Sequence, residues 1–291
     1  MKKLLAMAMV CAMSASLLVG CGTSEKESAE AETEVVEATE AAETTEATEA
    51  EATEVETEAA AAEEVATDGD TLVVGTNAEF PPFEYVGDDG EPDGFDIALI
   101  KAIGEKIGMN VQIENMEFAS LISSIGTKID AAIAGMTVTD ERKEMVDFSD
   151  SYYTAVQYVL VPADSKIASA ADLTGKTIGV QLGTTGDFIA EEIEGSETSQ
   201  YNKAVDAVND LINGRVDLVI IDKNPALVFE SKFEGQVIAI DGAKFEFEPE
   251  EYAIALPKGN TDLVEKINGA LAEMKEDGTF DALVAEYIEE N

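Results

Sequence analysis

The sequence contains no histidine, no tryptophan and only two cysteines among 291 residues. Without histidine, the chain can hold neither a Ser–His or Cys–His nucleophile pair nor an imidazole metal site. Basic residues are also scarce, because 18 Lys and Arg stand against 61 Asp and Glu, for a formal net charge of −43. Such a charge repels phosphate backbones, so we expect no nucleic-acid partner. Hydrophobic residues make up 45% of the chain, which suffices for a core if they cluster.

Residues 1–20 have the pattern of a secretion signal. Two lysines precede an apolar run from residue 4 to residue 19, which is too short and too interrupted to span a bilayer. The run leads into Leu-Val-Gly-Cys, which resembles the lipobox of bacterial lipoproteins and implies cleavage before Cys21 and acylation of its thiol. The alternative is an ordinary secretion signal followed by a chance cysteine. Since Cys11 lies within the signal, the mature chain cannot form an internal disulfide.

The segment that follows Cys21 predicts an acidic tether. Between residues 22 and 70 the composition narrows to Ala, Glu, Thr and Val, with 18 acidic residues, one lysine and no aromatic residue. Such a composition buries too little apolar surface to offset the entropy of folding, so residues 21–70 are predicted to be a lipidated cysteine and a disordered tether. Two interpretations of this segment remain open. It could be a spacer that holds a domain away from a membrane, or a low-complexity sequence that has drifted without a function.

Strand-like and helix-like segments alternate from residue 71 onward, which predicts an α/β fold with a parallel sheet. Residues 72–75 and 131–134 have the continuous apolar character of buried strands. Between them, isoleucines at helical spacing predict a helix over 95–107 that ends at Gly108. The sequence therefore favours sheets covered by helices.

One structural unit is used twice. The order helix end, glycine, basic residue, β-branched residue, aspartate and buried strand occurs at residues 124–134 and again at 211–221. Two segments, around 155–161 and 252–256, have the character of connections between two lobes. We therefore predict one lobe of residues 71–156 and 253–291 and a second of residues 157–252. Two hinge strands would join them, with a ligand cleft between.

Polar residues follow the predicted strands, where the carboxyl ends of parallel strands meet at a cleft. After residues 131–134, which end in Ala134, come Gly135 and Thr137. Thr139 is predicted to cap a helix that contains Arg142. Arginine captures carboxylates in a bidentate manner. Only two arginines occur in the chain, and this one follows a strand end, so we predict that Arg142 binds a carboxylate.

Three further loops complete the predicted site. Asn77 and Phe80 follow the first strand and offer an amide and an aromatic ring, with aromatic packing at a turn as the alternative for Phe80. Gln181, Thr184 and Thr185 lie at a strand-to-helix turn, where free N–H groups favour an anion. Asp222 ends a buried strand, where a carboxylate is costly unless it is paired, and a bound ammonium would pair it. The alternative for Asp222 is a cap of the next helix. One lobe would then bind a carboxylate and the other an ammonium group. A free α-amino acid carries both of these groups.

Residues 71–291 resemble the family 3 solute-binding proteins of amino-acid ABC transporters, especially the glutamine-binding type. The motifs that carry the resemblance are Ala134 to Lys143 followed by Asp147-Phe148-Ser149, Gly75-Thr76 with Pro82-Phe83, Gly94-Phe95-Asp96, Gly183-Thr184-Thr185 and Gly278-Thr279-Phe280. The resemblance covers the whole predicted folded part. It implies a type 2 periplasmic-binding fold, with two α/β lobes joined by two hinge strands.

The resemblance also assigns roles to the candidate residues. It implies that Arg142 binds the α-carboxylate of the ligand, with help from Thr137 and the loop at residues 184–185. It further implies that the Gly135 carbonyl and the Asp222 carboxylate accept hydrogen bonds from the α-ammonium. Hinge closure around the amino acid would then deliver it to an ABC permease.

The side chain of the ligand would lie between Phe80 and Phe118. Two positions depart from the polar amino-acid binders, since Asn77 stands where these usually have aspartate and Gln181 stands where the glutamine binder has lysine. Both departures remove charge, so we predict a neutral or polar amino acid rather than arginine or lysine.

The resemblance implies a binding protein rather than an enzyme, without cofactor or metal, and a monomer. It would be held on the outer face of the cell membrane by its lipid, with an ABC permease of the same cell as partner. Two alternatives remain, a ligand-presenting sensor component and a secreted enzyme like the cyclohexadienyl dehydratases. The dehydratases need an acid near the leaving group, which neither Asn77 nor Gln181 supplies.

Overall fold

Strands and helices alternate along residues 70–289, the part of the chain that the computed structural model describes. The predicted signal peptide, Cys21 and almost all of the acidic tether lie outside these residues. The strands are β1 (Thr71–Thr76), β2 (Glu79–Phe80), β3 (Glu84–Val86), β4 (Pro92–Asp93), β5 (Asn110–Asn115), β6 (Ala131–Ala132), β7 (Val146–Phe148), β8 (Tyr153–Pro162), β9 (Thr177–Gln181), β10 (Glu197–Tyr201), β11 (Leu218–Asp222), β12 (Val237–Asp241), β13 (Pro249–Tyr252) and β14 (Ala255–Pro257). The α-helices are α1 (Phe95–Ile107), α2 (Leu121–Ser124), α3 (Asp140–Met145), α4 (Thr185–Glu192), α5 (Ala204–Ile212), α6 (Lys223–Lys232), α7 (Thr261–Asp277) and α8 (Thr279–Val284).

Helix α1 illustrates how the sequence determines local structure. Its isoleucines at positions 97, 100 and 103 are fully buried, as their helical spacing requires. The helix ends at Gly108, which takes the left-handed conformation with φ of 71° and donates its N–H to the Glu105 carbonyl. Glycine adopts that conformation without steric cost, so it stops the helix at the predicted residue.

Two sheets organise the fold. The first has the strand order β5-β1-β6-β14-β7, and helices α1, α7 and α8 pack together beside it. The second has the order β10-β9-β11-β8-β12, with β13 paired to β8. A small three-stranded sheet of β2, β3 and β4 lies on the first-sheet side of the chain. We call the part built on the first sheet the first lobe, and the part built on the second sheet the second lobe.

The prediction of parallel sheets is wrong for two strands. Strand β1 pairs in parallel with β5 and β6, and β9 pairs in parallel with β10 and β11. However, β14 runs antiparallel to β6 and β7, and β8 runs antiparallel to β11 and β12. These two reversed strands carry the chain from one lobe into the other. They enter each sheet from the side where the other strands end, so they run in the opposite direction.

The antiparallel pair β8–β13 joins the lobes. Residues 153–156 of β8 pair only with β13, whereas residues from Gln157 to Pro162 pair with β11 or β12. We place the proposed lobe boundaries at this change of partner, so that residues 71–156 and 253–291 form one lobe and residues 157–252 the other. In the part of the chain that the structure describes, no helix is long and apolar enough to cross a bilayer.

Candidate functional site

A small cavity lies where the ends of β1, β6, β9 and β11 meet. Both lobes contribute to its wall. The residues that line it are Asn77, Phe80, Glu84, Phe118, Ala134, Gly135, Thr137 and Arg142 of the first lobe and Gln181, Thr184, Thr185 and Asp222 of the second. The structure therefore brings together all eleven residues that the sequence predicted to contact a ligand, and it adds Glu84.

Arg142 lies at the bottom of this cavity as a buried cation. Helix α3 begins after Thr139, whose hydroxyl accepts a hydrogen bond from the Arg142 backbone N–H at 3.2 Å. The guanidinium donates to the Thr137 carbonyl at 2.6 Å and, across the lobes, to the Gly183 carbonyl at 2.9 Å. It also lies 5.5 Å from the centroid of the Phe118 ring. These contacts hold the guanidinium in a fixed orientation toward the cavity.

The charge of Arg142 is not compensated by an ion pair. Among the described residues, no Asp or Glu oxygen pairs with its guanidinium, although only 4% of the residue is exposed. Burial lowers the pKa of Arg142 to about 10, partly offset by the negative charges of Glu250 and Asp222. A buried guanidinium without a counter-ion is suited to bind an anion, and its planar fork fits a carboxylate.

Asp222 forms the opposite pole of the cavity. It ends β11 and occupies the N-cap position of α6, but its side chain makes no capping hydrogen bond. The alternative prediction, that the Asp222 carboxylate caps this helix, is therefore wrong. Instead it accepts a hydrogen bond from the Tyr252 hydroxyl. Burial, followed by repulsion from Glu250, raises the pKa of Asp222 to about 7. A cation beside this carboxylate would relieve both effects and favour its ionised form.

Gly135 presents its peptide between these two poles. Its N–H donates to Asp96 at 2.8 Å, and the Tyr152 hydroxyl donates to the same carboxylate oxygen at 2.8 Å. The residue has φ of 51°, and a Cβ at this position would lie 2.9 Å from the Phe80 ring. Both the backbone conformation and the space therefore require glycine. Burial raises the pKa of Asp96 to about 6, despite these two donors.

Glu84 was missed by the sequence reasoning. It is fully buried on β3 and lines the cavity, and burial followed by the charge of Asp96 raises its pKa well above the usual range. Glu84 directly follows the Pro-Phe motif of the first loop, and that position was the one signal that could have identified it.

The hydroxyl hydrogens of the three threonines that line the cavity are already used in hydrogen bonds within the protein. Thr137 and Thr185 donate to the same oxygen of Glu250, at 2.6 and 2.7 Å, and the Thr184 hydroxyl donates to the Gln181 carbonyl at 2.8 Å. The N–H groups in the first turn of α4 have no acceptor within the helix. Help with a carboxylate from this loop would therefore come from backbone N–H groups. Sequence alone gave no signal for Glu250, because only the pairing of β13 with β8 brings it here.

The far end of the cavity is uncharged. Gln181 donates from its amide to the Asn77 carbonyl oxygen at 2.8 Å, and Asn77 donates to the Met116 carbonyl at 2.9 Å. These two amides join the lobes. Glu79, a nearby source of charge, instead forms an ion pair with Lys203 and does not line the cavity. Within residues 70–289 no group of three or more acidic, cysteine or histidine side chains is arranged to hold a metal ion.

Comparisons with known proteins agree with this architecture. A family model described as bacterial extracellular solute-binding proteins, family 3, matches residues 72–290. The arginine-binding extracellular protein ArtP of Bacillus subtilis (strain 168) is 39% identical over 222 residues, which cover 75% of this chain and 86% of that protein. The ABC transporter glutamine-binding protein GlnH of the same strain is 30% identical over 298 residues, which cover 100% of this chain and 99% of that protein. The structure of an ancestral arginine-binding protein bound to arginine matches with a TM-score of 0.71 at 40% identity, over 75% of this chain and 98% of that one.

Proposed function

Because the chain belongs to the bacterial extracellular solute-binding proteins, family 3, we propose that it binds a free amino acid outside the cell and delivers it to an ABC importer by hinge closure. The fold is the two-lobed type 2 periplasmic-binding fold of the solved relatives. These relatives are amino-acid-binding proteins rather than enzymes. The observation that carries the proposal is that one cavity between the lobes holds an unpaired buried guanidinium and a buried carboxylate.

The two poles match the two charges of an α-amino acid. In the proposed complex, Arg142 binds the α-carboxylate, while Asp222 and the Gly135 carbonyl accept hydrogen bonds from the α-ammonium. Arg142 and Gly135 belong to the first lobe and Asp222 to the second, so neither lobe alone makes all of these contacts. Binding energy is therefore fully available only when the lobes are together, and the ligand favours closure.

We propose a neutral or polar side chain for the ligand. The side chain would lie between the Phe80 and Phe118 rings and reach toward Asn77 and Gln181, which are uncharged and hydrogen-bonded to each other. One relative is named for arginine and another for glutamine, so family membership alone leaves this choice open. The absence of an acidic side chain at this end supports the neutral class, because a buried cationic group would need a partner there.

The setting of the protein follows from the same proposal. The family is extracytoplasmic, and we propose that Cys21 carries a lipid that holds the chain on the outer face of the membrane. Residues 22–70 would then space the two lobes from the lipid surface. The proposed partners are a free amino acid and a permease of the same cell, the protein is proposed to act as a monomer, and nucleic acid is not among the partners.

A binding screen tests the proposal. The full chain, carrying Cys21→Ser to prevent lipidation, would be unfolded and refolded to remove bound molecules and then heated with each of the twenty amino acids. We expect neutral or polar amino acids to raise the unfolding temperature. Stabilisation by arginine or lysine alone would keep the binding function and overturn the neutral class. No stabilisation by any amino acid would overturn the function and favour the sensor or dehydratase alternatives.

A further inference from the structure

Glu250 reaches the edge of the binding cavity from the hinge. It lies on β13, opposite Ala155 of β8, where the chain passes between the lobes. One oxygen of its carboxylate accepts hydrogen bonds from Thr137 of the first lobe at 2.6 Å and from Thr185 of the second lobe at 2.7 Å. Among the described residues, no lysine or arginine forms an ion pair with it. The Gln157 amide donates to the same oxygen at the longer distance of 3.4 Å, so the partners of this carboxylate are neutral groups.

These bonds determine which atoms the hydroxyls can offer to a ligand. A hydroxyl has one hydrogen and two lone pairs, whereas an ionised carboxylate only accepts hydrogen bonds. Thr137 and Thr185 must therefore supply the hydrogens in their bonds to Glu250. One lone pair of Thr185 is also occupied, since Gln157 donates to its hydroxyl at 3.1 Å. Both threonines line the cavity, and toward it they present lone pairs without a hydrogen.

Several groups that line the cavity can therefore only accept hydrogen bonds from a ligand. The Gly135 carbonyl and the Asp222 carboxylate already accept hydrogen bonds only, and the two hydroxyls now add to them. An α-ammonium has three N–H donors and needs several acceptors, whereas a carboxylate would meet lone pairs with its own. Arg142 offers donors alone, and its guanidinium lies beside the carbonyls of Thr137 and Gly183. Glu250 therefore determines the hydrogen-bonding character of the two hydroxyls without lining the cavity itself.

We propose that Glu250 is a positioning residue that fixes the Thr137 and Thr185 hydroxyls as hydrogen-bond acceptors and thereby makes binding depend on the α-ammonium of the ligand. The inference rests on the proposed function, because it assigns the ammonium end of the same site. The charge of Glu250 adds to the effect, since it makes this end of the cavity more negative and also opposes the ionisation of Asp222 until a cation arrives.

The test compares Glu250→Gln with Glu251→Gln. A glutamine keeps the shape of Glu250, but its amide can donate to both hydroxyls and let their hydrogens turn toward the cavity. Glu251 is the next residue on the same strand, where it accepts a hydrogen bond from Thr154 at 3.0 Å, and it serves as the matched control. The probes are the twenty amino acids and, for each one that binds, the carboxylic acid with hydrogen in place of the α-amino group.

We expect Glu250→Gln to weaken amino-acid binding about tenfold to a hundredfold in calorimetric titrations, because hydrogen bonds to a charged group are lost. Binding of the deaminated acid should change less than threefold or become tighter, and Glu251→Gln should change neither. An equal loss for both ligands would show that Glu250 only braces the lobes, and would overturn the inference alone. A wild-type protein that binds no amino acid would overturn the proposed function.

Substitutions of Thr185 keep the test decisive if Glu250→Gln fails to fold. Thr185→Ser retains a hydroxyl, and Thr185→Val removes it at nearly constant shape. The amino acid should bind the valine variant at least tenfold more weakly than the serine variant, whereas the deaminated acid should bind both alike. Equal binding of the amino acid to the two variants would show that the hydroxyl does not contact the ammonium. Where both single variants fold, the Glu250→Gln effect should shrink in the valine background.

Discussion

Replacing Arg142 by methionine separates the binding role of this side chain from its structural role. Methionine matches the length of the arginine stem but cannot hold a charge or bind a carboxylate. In the proposed complex, the variant leaves the α-carboxylate of the ligand buried without a counter-ion, which costs roughly 3–5 kcal/mol. We therefore expect the affinity for the amino acid to fall by about two to three and a half powers of ten.

The stability of the protein without ligand should respond quite differently. Burial lowers the pKa of Arg142 to about 10 from an ordinary value of 12.5, which corresponds to about 3 kcal/mol against the charged guanidinium. Methionine removes that cost, but it leaves the Thr137 and Gly183 carbonyls without their donor, at about 1–3 kcal/mol each. These terms largely offset each other, so the free energy of unfolding should change by no more than about 3 kcal/mol.

Isothermal titration calorimetry and thermal unfolding measure the two quantities. The chain offers a matched control, because its second arginine, Arg215, is exposed and pairs with Asp210. Arg215→Met should leave the affinity unchanged. A loss of less than threefold for Arg142→Met in a protein that still unfolds cooperatively would show that the carboxylate is bound elsewhere. A large loss of stability without ligand would show that the guanidinium is mainly structural.

Three further predictions concern the other poles of the site. Because the pKa of Asp222 is raised to about 7 and an ammonium binds its ionised form, affinity should rise by up to tenfold per pH unit toward pH 7 and then level off. Asp222→Asn should remove this slope in titrations, and a slope that survived would place the titrating group elsewhere. The pKa of Asp96 is raised to about 6 from 3.8, so the folded state binds this proton more tightly and stability should fall as the pH rises from about 4 to 6. Asp96→Asn should flatten that part of the thermal-unfolding profile, and an unchanged profile would argue against Asp96. Asn77→Asp should place a carboxylate beside Gln181 and raise the ratio of arginine to glutamine affinity at least tenfold, whereas an unchanged ratio would show that Asn77 does not read the side chain.

Sequence reasoning located the fold where local signals are strong. Helix α1 begins at Phe95 and ends at Ile107 as the isoleucine spacing and Gly108 predicted. Strand β6 is shorter than the predicted 131–134, because only residues 131–132 pair in the sheet. The direction of β8 and β14 was not accessible, since a buried apolar run has the same pattern whether its neighbours are parallel or antiparallel.

The same limit explains which site residues were found. Arg142 and Asp222 follow strand ends, and the position of a residue after a strand is visible in the sequence. Glu84 lies on the central strand of the small three-stranded sheet and Glu250 lies on a hinge strand, and neither follows the end of a predicted buried strand. Their placement depends on long-range pairing, and the raised pKa of Asp222 depends in turn on Glu250. Chemistry set by neighbours far apart in the chain requires the tertiary structure.

The position of β14 has a consequence for the order of folding. In the first sheet, β14 lies between β6 and β7, although about a hundred residues separate it from either strand. Strand β7 therefore has no sheet partner until Ala255–Pro257 is available, whereas the second sheet is built from a continuous stretch of chain. A chain that emerges gradually on the far side of a membrane can complete its second lobe first. The first lobe, with most of the residues that line the binding cavity, closes its sheet only when Ala255–Pro257, near the end of the chain, has arrived.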